Sequence, residues 1–216
     1  MSLTPRFSTA FREDLARLMA WRRDVRRFRP DPVPGDVLDR GLAAFATAPS
    51  VGLSEPWRVV AVDSAAARAA ALANFEGANA EALAEYHAGG ELSRAAIYAG
   101  LKLSGMRDAP VQLAVFCDEA TPKGAGLGAR TMPEMRAYSV VSAVTLLWLA
   151  LRAEGVGLGW VSILDPERLT RDLDVPASWR LIGYFCIGYP ETESATPELE
   201  QLGWEPRLGL PEMEQR

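Results

Sequence analysis

The five residues Arg22-Arg-Asp-Val-Arg26 set three guanidinium groups around one carboxylate, in a chain whose net charge is −5. Guanidinium forks match phosphate oxygens two at a time. In an extended or turning backbone Arg22 and Arg26 point the same way, and Arg23 bends in where a helix unwinds. The run therefore reads either as a phosphate site or as the solvated basic end of a helix, which the macrodipole also favours. Asp24 has the same sign of charge as a phosphate. In the first reading it serves chemistry rather than binding; in the second it is a salt-bridge partner. A second stretch, Pro49-Ser50-Val51-Gly52, offers a hydroxyl and exposed N–H groups in a turn, or is an ordinary loop between helix and strand. A third, Gly155-Val-Gly-Leu-Gly-Trp-Val-Ser162, is thinned by glycine so that a planar ring can stack on it, or so that helix and strand pack closely. Ser162 is its polar residue. The single histidine, His87, and two cysteines inside apolar runs, Cys117 and Cys186, give no metal-ligand spacing and no histidine-based triad. No metal is expected.

The elements that must position these residues are legible from periodicity and punctuation. Phe11, Leu15, Leu18 and Met19 form the apolar face of a first helix capped by Ser8 or Thr9, which delivers the arginine run. Pro30, Pro32 and Pro34 forbid its continuation. A second helix spans about 36–46, a strand 58–62, and an alanine-rich helix 64–86 that Gly89-Gly90 breaks. A further helix covers 91–106, an apolar strand 111–117, and a mobile glycine loop 122–130. Thr131 and Glu134 have capping-box spacing ahead of Ala137–Leu151, which is apolar around nearly its whole circumference and hence central. Flanked by Arg136, Arg152 and Glu154, it is too short to span a bilayer comfortably. Ser139, Ser142 and Thr145 give it a line of small side chains, suited to a subunit contact. Gly155 stops it, a strand follows over 156–163, Asp165 caps a helix ending near Leu173, and 180–187 is the last strand. The polar, proline-punctuated segment from Gly188 onward, anchored by Trp204, is expected to wrap a partner.

The chain has 216 residues, 49% of them hydrophobic, enough to bury a full core. The reading is one domain over 1–216, with residues 1–8 and 205–216 as extended tails. Its negative charge argues against nucleic acid or an anionic membrane as the main partner. With no signal-peptide core at its start, it is expected in the cytoplasm. Four or so strands for six or seven helices, without regular βαβ alternation or a Gly-x-Gly-x-x-Gly turn, indicate an α+β fold rather than a dinucleotide-binding one.

Arg-Arg-Asp-Val-Arg, Ala-Pro-Ser-Val-Gly-x-x-x-Pro-Trp, Leu-Lys-Leu-x-Gly-Met-Arg, Pro-Glu-Met-x-x-Tyr-Ser and Trp-Leu-Ala-x-Arg-Ala-Glu-Gly-Val-Gly-x-Gly-Trp-Val-Ser-Ile follow one another in a single order. With them the chain resembles the nitroreductase superfamily over roughly residues 21–204. Asp24 and the Gly-Trp-Val-Ser strand resemble its flavin-fragmenting branch, which forms 5,6-dimethylbenzimidazole for the lower ligand of cobalamin. The resemblance implies a central, mostly antiparallel sheet flanked by helices, a long buried central helix, and a homodimer of domain-swapped type with two FMN sites built from both chains. Carried over residue by residue, the run Arg22, Arg23, Asp24, Val25 and Arg26 would bind FMN, its arginines holding the phosphate. Ser50 and Gly52 would line the flavin from the partner chain, Leu103 would lie near it, and Ser162 near the ring. Asp24 and Ser162 would be catalytic. The implied reaction consumes reduced FMN with O2 and releases erythrose 4-phosphate, the electrons coming from NAD(P)H through a separate flavin reductase. Residues 75–98, where a lid is expected, have a composition of their own, with Ala88-Gly-Gly-Glu91 after His87. Two other readings stand beside this one: an NAD(P)H-dependent nitroreductase or flavin reductase, and a flavin-binding protein without turnover.

Overall fold

Val111–Asp118 is apolar on both of its faces, and such a strand is stable only with layers on either side. In the computed structural model, which describes residues 6–101 and 105–216, it is a central strand. Among the described residues the order is α1 (Thr9–Trp21), α2 (Gly35–Ala46), a single 3-10 turn (Val51–Leu53), β1 (Trp57–Ala61), α3 (Ala65–Ala88), α4 (Leu92–Gly100), α5 (Gly105–Asp108), β2 (Val111–Asp118), α6 (Met135–Ala153), β3 (Gly157–Val161), α7 (Pro166–Asp172), β4 (Trp179–Gly188) and α8 (Glu198–Gln201). The strands form one sheet in the order β1-β2-β4-β3, every neighbouring pair antiparallel.

The period of two along β2 and β4 divides the core. Leu113, Val115 and Cys117 of β2 face α2 and α6 together with Phe185 and Ile187 of β4. Ala114 and Phe116, with Tyr184 and Cys186, face Phe28 and the side of α3 and α7. Ser8, Ser64 and Asp165 cap α1, α3 and α7 by accepting from Phe11 N, Ala67 N and Arg168 N.

The central helix is α6. Ala137, Val140, Val144, Leu147 and Leu151 are buried, while Tyr138, Val141 and Thr145 lie on its open side. The hydroxyls of Ser139, Ser142 and Thr145 donate to the carbonyls of Met135, Tyr138 and Val141, at 2.6, 3.0 and 3.0 Å. By length and composition α6 would also suit a membrane crossing; here its inner face is packed on the sheet.

Several sequence expectations are corrected. The capping box does not form: the helix starts only at Met135, Glu134 makes no side-chain cap, and Thr131 Oγ1 donates to Gly128 O at 3.1 Å. Turns closed by Leu127 N–Gly124 O, Arg130 N–Gly126 O and Met132 N–Gly128 O wind this stretch and leave Thr131 outside the helix. The helix expected over 91–106 is two, because Leu101 leaves helical geometry. The C-terminal segment, expected to wrap a partner, packs on its own chain as far as Trp204, while residues 205–216 are exposed. Pro190 bridges to Phe28, Glu193 pairs with Arg152, and Trp204 meets the Tyr86 ring edge-on at 5.7 Å, all on its own chain.

Candidate active site

α1 ends at Trp21 because Arg22 turns to extended geometry (φ −58°, ψ 132°), its N–H still closing the helix on Leu18 O. The chain then runs along the free edge of β3, where Val25 N donates to Leu158 O at 3.1 Å. Gly159 permits that approach: a Cβ there would lie 2.1 Å from Val25 O. The thinned strand thus admits the extended backbone of residues 24–25, where close packing by a helix was one expectation. Its far end, from Gly159 to Ser162, still faces a cavity.

This placement fixes the carboxylate. Asp24 Oδ1 accepts from Trp160 N at 2.8 Å and Oδ2 lies 3.4 Å from Arg26 Nη2. Withdrawal from water pushes the Asp24 pKa above the ordinary carboxylate value. The Trp160 N–H, Arg26 and Arg22 oppose that shift without cancelling it. A raised carboxylate in a cavity wall is suited to accept and return a proton.

Two adjoining cavities share Asp24, Val25, Arg26 and Leu199. The first, about 260 Å³, is lined by Asp24 and Ser162 and walled by Phe75, Tyr86, Tyr98 and Trp204. Tyr98 is held by its hydroxyl, which donates to Asn79 Oδ1 at 2.8 Å. Ser162, just past β3, is exposed on the cavity. The second cavity, about 320 Å³, sets Arg22, Arg23, Arg26, Arg27, Arg152 and Arg207 against Asp24, Glu193 and Glu198. Burial lowers the pKa of Arg22 and of Arg23, and for Arg23 the neighbouring cations Arg207, Arg22 and Arg152 lower it further. An anion entering here relieves that repulsion.

The arginines are individually braced. Arg22 lies 4.5 Å from the centroid of the Trp148 ring, whose Nε1 donates to Arg23 O at 3.2 Å. Arg23 Nη1 donates to Ala20 O and Arg22 O, at 2.7 and 2.6 Å, while its buried Nε has no partner. An apolar, aromatic cavity opening into a cationic one with an unmatched buried donor suits a planar ring that carries a phosphate, and FMN is such a molecule. No group of three metal-ligating side chains occurs among the described residues.

The nitroreductase family model matches residues 19–189, most of the chain and both walls of β3. The chain belongs to the nitroreductase family. Within reach of that family it is 53% identical over 211 residues, 98% of each chain, to the 5,6-dimethylbenzimidazole synthase of Rhodospirillum rubrum. It is 47% identical to the enzyme of the same name from Rhodobacter capsulatus, over 94% of this chain and 96% of the other. Among solved structures, iodotyrosine deiodinase bound to FMN and 3-iodo-L-tyrosine superposes with a TM-score of 0.67 at 22% identity, covering 94% of this chain and 97% of that one. That likeness speaks for the nitroreductase fold alone.

Of the residues singled out in the sequence, Arg22, Arg23, Asp24, Val25 and Arg26 come together, and Asp24, Val25 and Arg26 share the first cavity with Ser162. Ser50 and Gly52 do not join them. Ser50 Oγ accepts from Glu55 N at 3.1 Å, and Gly52 (φ 58°) packs on Gly124 and Leu127. Their loop is tied to the start of α6 by Val51 N–Ser139 Oγ at 3.0 Å. Leu103 lies outside the described residues. Sequence reading missed Arg152, Arg207 and Glu198, while Phe75, Tyr86 and Tyr98 come from the 75–98 stretch where a lid is expected. Glu198 meets Arg26 from 172 positions away, and no local pattern announces such a pairing.

Proposed function

We propose that this chain is a 5,6-dimethylbenzimidazole synthase, converting reduced FMN and O2 to 5,6-dimethylbenzimidazole with release of erythrose 4-phosphate. The observation that carries the reading is end-to-end kinship with synthases of that name, joined to a raised carboxylate, Asp24, and a hydroxyl, Ser162, on one aromatic cavity. Bound FMN would supply the ring that becomes the product and, when reduced, the reactivity toward O2. The protein's part is to bind, orient and move protons. Arg22, Arg23 and Arg26 hold the phosphate, and Val25 backs the ring against β3. Asp24 accepts a proton near the ring; its Trp160 N–H bond fixes the direction of its free lone pairs. Ser162, with no competing side-chain bond among the described residues, is free to donate or accept at the ring edge. Phe75, Tyr86, Tyr98 and Trp204 exclude water, which lengthens the life of reactive species.

The working unit we infer is a homodimer in which the partner's loop brings Ser50 and Gly52 to the flavin, with Leu103 beside it. Reduced FMN would come from a separate NAD(P)H-dependent flavin reductase, in the cytoplasm. The assay combines protein, FMN, NADH, a flavin reductase and air, with chromatography of the products. Benzimidazole formed in step with flavin loss is the expected result. Catalytic NADH oxidation by this protein and FMN alone, with the added reductase left out and the flavin intact, would point instead to a recycling reductase.

A further inference from the structure

Glu198 occupies the place where the cationic cavity wants an anion. Its Oε2 accepts from Arg26 Nη1 and its Oε1 from Arg27 Nη2, each at 2.9 Å. Arg26 is nearly buried, with 13% of its side chain exposed, and Glu198 keeps 25%. Two carboxylate oxygens on two guanidiniums reproduce one edge of a bound phosphate. Burial raises the Glu198 pKa, but the hydrogen bonds from Arg26 and Arg27 outweigh it and hold the carboxyl below its ordinary value. The backbone around it is held separately, Gln201 Nε2 donating to Thr196 O at 2.9 Å and Trp204 N to Leu199 O at 2.8 Å. Among the described residues the carboxylate itself bonds only Arg26 and Arg27, so the side chain can swing away without unseating α8 (Glu198–Gln201). The next residue, Leu199, borders both cavities.

Resting on the reading that the FMN phosphate takes Arg26, we propose that Glu198 is an internal competitor for the phosphate end of the site. It yields to a phosphate joined to a ring in the neighbouring cavity and excludes a phosphate that is not. A phosphate carries about −1.5 to −2 charges and three acceptor oxygens against the single charge of Glu198, yet exchange loses two charge-assisted bonds before any are gained. A ligand that also fills the aromatic cavity offsets that loss; a free phosphate has nothing further to offer. Apparent affinity falls by the fraction of time the arginines are open, for every anion alike. The same competition acts after turnover. Once ring and sugar phosphate are separate molecules, the phosphate end no longer has the ring to hold it, and Glu198 returns to the arginines. The residue thus sets an affinity threshold that a ring-linked phosphate passes and a free phosphate does not, and it clears the phosphorylated product.

The test compares the full-length wild type with Glu198→Gln and Glu198→Ala. FMN and riboflavin are titrated by flavin fluorescence, and inorganic phosphate and erythrose 4-phosphate are used as competitors of FMN. Removing the competitor should tighten FMN on the order of tenfold, the size of a lost charge-assisted contact, and leave riboflavin unchanged. The inhibition constants of both phosphates, weak competitors of the wild type, should fall roughly tenfold in Glu198→Ala once corrected for the tighter FMN. Weaker FMN binding in Glu198→Ala would show that Glu198 only braces the arginines, and unaltered binding that it is an idle surface pair; either result overturns the inference. A wild type that binds FMN no better than riboflavin fails the phosphate-clamp reading itself, and this inference with it. A wild type that prefers FMN, beside variants that do not tighten, fails only the inference.

Discussion

Asp24 is surrounded by cations and is still pushed above the ordinary carboxylate pKa, because loss of water outweighs Arg26, Arg22 and the Trp160 N–H. The raised value means that the fold binds the proton more tightly than the unfolded chain does. Above the folded-state pKa both states are ionised and the fold carries the full unfavourable term. That term fades as pH falls through the folded-state pKa toward the unfolded value of 3.8. Asp24→Asn should therefore raise the melting temperature at neutral pH, with a gain that shrinks in acid. It should still bind FMN, because an amide of equal size removes a like charge from beside the phosphate. With the proton acceptor gone, benzimidazole formation from reduced FMN and air should fall about 10²–10⁴-fold, flavin being recovered intact; parental yield would leave Asp24 a mere ion-pair partner. Ser162→Ala should likewise retain the flavin and lose most of the product. For the clamp, Arg26→Ala should weaken FMN about tenfold or more, one charge-assisted bond being about 1.5–3 kcal/mol, while riboflavin titrates as before. Equal losses for both flavins would count against a phosphate at Arg26.

At the scale of elements, the site depends on residues 24–25 lying flush on β3, and Gly159 is where that contact can be broken. In Gly159→Ala the new Cβ meets Val25 O, a backbone atom that cannot rotate away. The edge bond of Val25 to Leu158 and the Asp24–Trp160 bond should both loosen. Overpacking of this kind costs about 1–3 kcal/mol, and FMN affinity should fall with it. Gly77→Ala, inside α3 with open space around the new Cβ, should stabilise by about 0.5–1 kcal/mol; thermal melts of the two variants check the contrast. Much of this architecture was legible because its causes are local. Ser8, Ser64 and Asp165 cap where their types say they should, and the apolar run of β2 demanded a central strand. The Arg22–Arg26 run stood out by its spacing, while the roles expected of Asp24 and Ser162 came from resemblance; the two residues do line one cavity. What was not legible is set by distant partners. The glycines of β3 look alike whether a ring or a backbone approaches them, and only the path of α1 decides. Thr131 matched a capping pattern, but positive-φ glycines at 124, 126 and 128 wound the preceding segment into its own turns. The tail's return to its own domain rests on Glu198 and Trp204 meeting residues more than a hundred positions earlier.

For the molecule as a whole, the surface of one chain is unfinished. Phe11, Leu15 and Met19 of α1 are exposed at 45, 39 and 51%, and Tyr138 on the open side of α6 at 53%. α1 buries none of its residues, although its apolar positions share one face, a pattern suited to contact with something outside this chain. Meanwhile Ser50 and Gly52 sit beside the start of α6, on neither cavity. A second copy answers both observations if it covers these faces and carries its own 50–52 loop to the flavin. Light scattering at low micromolar concentration should then give about twice the 23.5 kDa chain mass, and Val141→Glu on the open side of α6 should yield a folded monomer without tight FMN binding. Shared sites make a sharper demand. Asp24→Asn chains have intact loops, and Ser50→Trp chains have an intact Asp24 but a blocked loop; each homodimer should be nearly inactive. Co-expressed in equal amounts, half of the dimers are mixed, and each mixed dimer holds one site with neither defect and one with both. Product formation should recover to about a quarter of the wild-type rate. Were every site built from a single chain, mixing would recover nothing, and the exposed faces of α1 and α6 would need another partner.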